Sequence, residues 1–245
     1  MNFKYNGIIL NKFDIGETDR LYAIYTLEAG KIRTKAIGVK KPNAKLAGSL
    51  EPVTFSEIFL ARGRGRGNIT GAITLNNFLA IKSEISALQK IFYVFGIFNR
   101  LITDEEKDEK MFSLLLSYLE AMDKLCQDEA VPRLYDENKS DIVTLGFLFK
   151  LLERLGYGIE VEKCVKCGSK LEPEGNYFSP EPGGVVCPNC AAGNGKKISI
   201  NSHAIKLIRI FLKNKVENFG KISVKKEDIK NLKIIANEEI NWIIG

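Results

Sequence analysis

Residues 21–37 read LYAIYTLEAGKIRTKAI, and this stretch decides the fold of the first third of the chain. Its first seven residues are rich in β-branched and aromatic side chains, which favour a strand, and residues 28–31 supply a turn. From residue 32 to residue 37 apolar and polar side chains alternate, which places Arg33 and Lys35 together on one face of a second strand. The stretch therefore predicts two short strands joined by a turn.

The pattern around this stretch predicts a barrel followed by helices. Two more strands are predicted at residues 53–61 and 68–75, and about five strands in so short a segment suit an OB-fold. From Asn76 the apolar residues fall at helical spacings, first at positions 78, 81, 85, 88, 91, 92 and 95. Further helices are predicted near 109–126, 142–155, 202–212 (with Ser202 as N-cap) and 227–244. We therefore expect an N-terminal OB-fold barrel in residues 1–80 and a helical domain in residues 81–245, interrupted by a zinc-ribbon insert at about 160–195.

That insert is defined by two C-x2-C pairs, Cys164 with Cys167 and Cys187 with Cys190, which are separated by 19 residues. Two such pairs can bring four thiolates to the corners of a tetrahedron, as in structural zinc sites. Two disulfides, or a redox-active pair, are the alternatives, and both fit a reducing cytosol less well. Because four thiolates leave no open position on the metal, we expect one structural zinc per chain.

Positive charge is concentrated at the N-terminus. Residues 1–80 contain twelve basic and six acidic residues, whereas the remaining chain contains 24 of each. Clustered Lys and Arg gain free energy by displacing counterions from a polyanion, although a solvated basic face is an equally simple explanation. If DNA is the partner, the expected contacts are on the strand face and in two basic loops: Arg33, Lys35, Lys40, Lys41, Lys45, Arg62, Arg64 and Arg66. The aromatic residues available for base stacking are Tyr22, Tyr25, Phe55 and Phe59, of which at least half are expected in the core.

The usual signatures of an enzyme are missing from the sequence. There is no phosphate-binding loop or zinc-protease motif, and the single histidine, His203, is expected to be exposed in the first turn of a helix. Asp14, Glu17 and Asp19 are close enough in sequence for a metal-dependent nuclease, but a solvated turn with a local ion pair to Arg20 is the simpler interpretation. No segment is apolar enough for a membrane helix, so a cytoplasmic protein is expected.

Several segments resemble the RecO family of bacterial DNA repair proteins. They include IGETDRL at residues 15–21, LAGSLEP at 46–52, LLERLGY at 151–157 and YFSPEPGGVVC at 177–187. The resemblance runs in the same order over roughly residues 1–215. It implies an OB-fold, a helical domain and a four-cysteine zinc site. It also implies binding of single- and double-stranded DNA at the nucleoid, strand annealing, loading of RecA recombinase with RecR, and contact with the acidic tail of the single-strand DNA-binding protein.

Annealing needs two strands, and a second basic patch is one way to hold the second. Lys206, Arg209 and Lys213 are candidates because their spacing puts them on one helix face, although a solvated helix face is the simpler explanation. A zinc-ribbon module acting in transcription or on RNA is the alternative function.

Overall fold

The structure is a computed structural model that describes residues 2–44, 46–61, 67–127, 136–192 and 195–245. It forms two compact units, residues 1–119 and 120–245. The barrel strands end near residue 80, but the first unit is longer because the helices that follow pack on the barrel. The domain boundary at residue 80 stays a prediction.

The first unit contains a closed five-stranded barrel with the strand order β1-β2-β3-β5-β4. Neighbouring strands are antiparallel, except that β3 and β5 run parallel where Lys35 pairs with Asn68. This arrangement confirms the expected OB-like barrel. Its strands are β1 (Asn2–Ile15), β2 (Asp19–Thr26), β3 (Gly30–Ala36), β4 (Phe55–Ala61) and β5 (Asn68–Asn76).

The long first strand pairs with both β2 and β4, so it closes the barrel. The register of β1 against β2 shifts between Ile9 and Asn11, and such a bulge lets one strand bend around the barrel. Alternation then directs every second side chain inward. The interior is filled by large apolar residues from all five strands, including Tyr5, Ile9, Tyr22, Ile24, Ile32, Ile58, Leu60 and Ile69.

Two complete helices and the start of a third belong to the same unit: α1 (Leu79–Ser83), α2 (Ile85–Leu101) and α3 (Glu109–Gln127). The Tyr25 ring, on the outside of the barrel, meets the Phe98 ring of α2 edge-on at 4.8 Å. Not all of the apolar residues at helical spacing are buried, because Ile85 and Phe92 of α2 are 74% and 45% exposed. Glu84 has extended backbone and ends α1, so the helical phase restarts after it.

The second unit is built around α4 (Glu137–Arg154). Its residues 140–149 and 151–152 are buried, and Lys150 between them is partly exposed. The cysteine-rich insert follows, with β6 (Tyr177–Ser179), β7 (Gly184–Val186) and β8 (Ile198–Ser199), and then α5 (Ser202–Lys213) and α6 (Lys226–Ile244). The expectation that Ser202 caps α5 is wrong. Asn201 is the cap: it has extended backbone, and its side chain accepts a hydrogen bond from Ala204 N at 2.7 Å.

Candidate metal centre and nucleic-acid interface

The four predicted ligand cysteines lie together in the second unit. Their sulfur atoms are all within 4.8 Å of one another, and Sγ of Cys167 is 3.8 Å from Sγ of Cys187. Zn–S bonds of about 2.3 Å define a tetrahedron with edges of about 3.8 Å, so the spacing fits a four-thiolate site. A disulfide would need about 2 Å between the sulfurs, and the structure therefore favours a metal site over disulfides.

Short turns and one hairpin bring the two pairs together. Gly168 has φ 72°, which lets the chain reverse after the first pair, and Gly168 N donates to Cys164 O at 2.8 Å. The hairpin of β6 and β7 precedes Cys187. It is tied to the first pair because Val165 N donates to Val185 O at 2.9 Å. The fold of the insert thus presents both C-x2-C pairs to one point.

The surroundings give these thiols very different tendencies to ionise. Burial opposes ionisation of Cys164, but backbone N–H groups of Cys187, Cys167 and Lys166 point at its sulfur and lower its pKa to about 6. Hydrogen bonding to the sulfurs of Cys167 and Cys187 raises the pKa of Cys190 to about 12. Four adjacent thiolates therefore need a compensating cation, and a bound divalent metal supplies that charge.

The three cations proposed as a basic patch on α5 do not form one. The Arg209 guanidinium donates to Val161 O, with Nε at 3.0 Å, and its Nε lies 3.3 Å from Oε2 of Glu162. Lys213 Nζ lies 3.3 Å from the other oxygen of Glu162. Lys206 instead lines a separate groove with His203, whose side chain is 60% exposed as expected. Arg209 and Lys213 thus anchor the start of the insert on α5.

On the barrel, the two predicted strand cations face outward. The side chains of Arg33 and Lys35 are exposed, while residues 32, 34 and 36 between and beside them are buried, as the alternation predicts. Arg33 Nε is 3.0 Å from Oδ2 of Asp104, so part of its charge is already neutralised. Lys35 has no ion pair with any described residue, which leaves it the more available of the two for a phosphate.

The loop cations lie beside the turn between β1 and β2. Lys40 Nζ is 2.8 Å from Oδ2 of Asp14, and Arg20 Nε is 2.9 Å from Oδ1 of the same carboxylate. Lys41 is exposed in the turn beside Lys40. The remaining predicted contacts lie outside the described residues, namely Lys45, Arg62, Arg64 and Arg66.

The acidic residues of the β1–β2 turn are engaged with the protein itself. Asp14 holds two cations, which keeps the pKa of its carboxyl below the usual range. Asp19 accepts hydrogen bonds from Gly38 N at 2.9 Å and from Thr18 Oγ1 at 2.8 Å. Among the described residues, only the four cysteines form a group able to hold a metal ion. The geometry therefore gives no support to a nuclease site formed with Glu17.

The aromatic residues named for stacking are mostly in packed positions. Tyr22 fills the barrel and Tyr25 packs on α2, so neither ring is accessible to a base. Phe55 meets a ring of α3, and Phe59 lies over Gly71 on β5. Sequence reasoning passed over the aromatic residue that is most exposed on the barrel, Phe13, which is 49% exposed on β1. No local signal marks this exposure, because the alternation of Phe13 with charged residues on either side predicts an inward ring.

Comparison with known proteins identifies both parts of the chain. The family model "Recombination protein O N terminal" matches residues 1–78, and "Recombination protein O C terminal" matches residues 83–242. A "DNA repair protein RecO" from Dehalococcoides mccartyi is 34% identical over 99% of this chain and 91% of the relative. A protein of the same name from Roseiflexus sp. is 29% identical over 91% of this chain and 74% of the relative. Another from Halalkalibacterium halodurans is 25% identical over 97% of this chain and 88% of the relative. Within the described part of the chain, no helix has the length and apolar character needed to cross a membrane.

Proposed function

The chain belongs to the RecO family, with a role in DNA repair and recombination, and we propose that it is a non-catalytic mediator that binds and anneals DNA. In this proposal it binds single- and double-stranded DNA, pairs complementary strands, and acts with RecR to load RecA onto strands coated by the single-strand DNA-binding protein, whose acidic tail it contacts. It works in the cytoplasm at the bacterial nucleoid.

One observation carries the DNA-binding part of this proposal: the closed OB-like barrel bears Arg33 and Lys35 on its outer face. OB-folds bind single strands by combining such cations with stacking side chains. The excess positive charge of the chain also lies in residues 1–80. Protein cations that bind phosphates release condensed counterions, so this binding weakens as salt concentration rises.

Annealing follows from the same electrostatics. Two single strands repel each other through their phosphates, and base pairing can begin only when that repulsion is screened. A protein that holds both strands against cationic surfaces lowers the barrier without any chemical step. No nucleoside triphosphate or catalytic metal is needed for such a reaction, which agrees with a metal-ligand set made only of thiolates.

We further propose that the metal is zinc and that its role is structural. Cys164, Cys167, Cys187 and Cys190 supply four soft ligands at tetrahedral spacing, and such a set fills the coordination sphere of zinc. When bound, the metal cross-links the segment between α4 and α5, where two of the ligands, Cys164 and Cys187, form a buried core cluster with Val186. The zinc would thus replace a hydrophobic core in this insert.

An annealing assay tests the function. Complementary labelled strands, free or coated with single-strand DNA-binding protein, should pair faster with the protein than without it, and neither strand should be cut in the presence of magnesium. Replacing Arg62, Arg64 and Arg66 with Ala should weaken single-strand binding for all sequences and lower the log–log salt slope by about 0.7 for each lost phosphate contact. Cleavage of the strands, or a strict preference for RNA, would contradict the proposal.

A further inference from the structure

A row of side chains crosses the outer face of the barrel from β1 to β5. Phe13 of β1 is paired with Leu21 of β2, and Leu21 is paired with Lys35 of β3. Lys35 in turn is paired with Asn68 of β5. We call these four residues the outer row. Because neighbouring strands are about 4.8 Å apart, the Cα atoms of Phe13 and Lys35 lie roughly 10 Å from each other.

Phe13 has no evident role in holding the barrel together. Its side chain is 49% exposed, it is absent from the barrel core, and it makes no ring contact with another described aromatic residue. An isolated exposed apolar residue needs no explanation by itself. Here, however, an exposed aromatic ring shares a sheet face with Lys35 and Arg33, the two outward cations of β3.

The acidic residues near the outer row do not neutralise all of its positive charge, so a phosphate can still be bound there. Asp104 lies at one border, where it pairs with Arg33 at 3.0 Å. On the other border, Asp19 accepts a hydrogen bond from Gly38 N at 2.9 Å, and its carboxylate also attracts Lys35 and Lys41. Lys35 lies between them without an ion pair among the described residues. Gly67 lies beside it, since Lys35 N donates to Gly67 O at 3.5 Å.

We propose that Phe13 is a base-stacking residue for single-stranded DNA, and that Lys35 and Arg33 hold the phosphates next to the stacked base. The inference rests on the proposed function and adds to it the path of the strand, which crosses β1, β2 and β3 on the outer face of the barrel. Lys40 is then not part of the path, because it pairs with Asp14 together with Arg20.

The experiment compares two kinds of DNA on the full-length protein. Phe13→Ala should weaken single-strand binding about 5- to 150-fold, as expected for the loss of one base–aromatic stack. Affinity for duplex DNA should stay within twofold of wild type, because paired bases are already stacked inside the helix. Phe13→Trp should keep single-strand affinity. The salt slope should be unchanged in Phe13→Ala but should fall by about 0.7 in Lys35→Ala, since the lysine contacts a phosphate in this proposal and the phenyl ring does not.

Ile73→Ala is the matched control. Ile73 is 55% exposed on β5 opposite Glu57, so it offers a similar apolar side chain outside the outer row. Equal single-strand affinity of Phe13→Ala, Ile73→Ala and wild type would overturn the stacking role while leaving the proposed function intact. Equal losses on single-strand and duplex DNA would also overturn it, because stacking acts only on unpaired bases. No single-strand binding by the wild-type protein would instead refute the proposed function and this inference with it.

Discussion

Replacing Lys31 with methionine tests how the barrel is fixed to the helices beside it. Lys31 is only 2% exposed, although it lies on β3, the strand that carries the outward cations Arg33 and Lys35. Its Nζ donates to Asn99 O at 2.8 Å and to Ile102 O, and it lies 3.0 Å from Oδ1 of Asp104. The ammonium group thus satisfies carbonyl groups at the C-terminus of α2, where no intrahelical donor is available.

The expected loss comes mainly from those two carbonyl groups. Methionine keeps most of the aliphatic volume of lysine, so little packing is lost. A hydrogen bond to a charged group contributes about 1.5–3 kcal/mol, and a buried acceptor left without a donor costs about 1–3 kcal/mol. Asp104 is half-exposed and keeps Arg33 as a partner, so its share is small. We expect Lys31→Met to lower the free energy of unfolding of the first unit by about 2–4 kcal/mol.

Lys35→Met is the matched control, because it removes the same ammonium group from an exposed position on the same strand. Urea unfolding followed by circular dichroism gives the free energy, and hydrogen exchange of residues 91–104 gives the local effect. Lys35→Met should stay within about 0.5 kcal/mol of wild type, as surface substitutions do. If both variants lose equally little stability, or if α2 exchanges no faster in Lys31→Met, the reasoning about the buried ammonium group is wrong.

Three further predictions concern the metal, the barrel charges and pH. Cys187→Ser should reduce bound zinc from about one per chain to none in elemental analysis and lower stability, while Cys126→Ser should retain the metal. Asp14→Asn should release Arg20 and Lys40 from their shared carboxylate. If both cations then contact phosphates, the log–log salt slope of single-strand binding should steepen by up to about 1.4. An unchanged slope would place both cations away from the DNA. Burial raises the pKa of Glu239 to about 7, so the native state keeps a proton that the unfolded chain loses near pH 4.5. The free energy of unfolding should therefore fall between about pH 4.5 and 7, by up to about 3 kcal/mol, and Glu239→Gln should remove this fall in urea titrations at several pH values.

Local pattern was sufficient for β2 to β5 and the metal ligands, but it did not locate β1 or the break between α1 and α2. Alternation in β3 predicted which side chains face outward, and the two C-x2-C pairs predicted the thiol cluster, because both signals depend only on near neighbours in sequence. The pairing of Lys40 with Asp14 was not predictable, since it joins a loop to the end of β1 across 26 residues. The same is true of Arg209, whose bond to Val161 O turns an apparent surface cation into an anchor. Long-range partners decide whether a cation is available, and sequence spacing does not give them.

The availability of cations also bears on how two strands would be held in the proposed annealing. In the second unit, several basic side chains already have acidic partners: Arg209 and Lys213 with Glu162, Lys196 with Glu238, and Lys233 with Asp141. Three exposed lysines surround the first cysteine pair, namely Lys163, Lys166 and Lys170. A divalent metal bound by four thiolates carries net negative charge, which these lysines offset. The described part of the second unit also has other exposed lysines, of which Lys206 and Lys225 line one groove with His203 and Asp228. For the proposed annealing, two copies of the barrel, or one barrel and a partner protein, are the alternatives to a second strand site formed by these lysines.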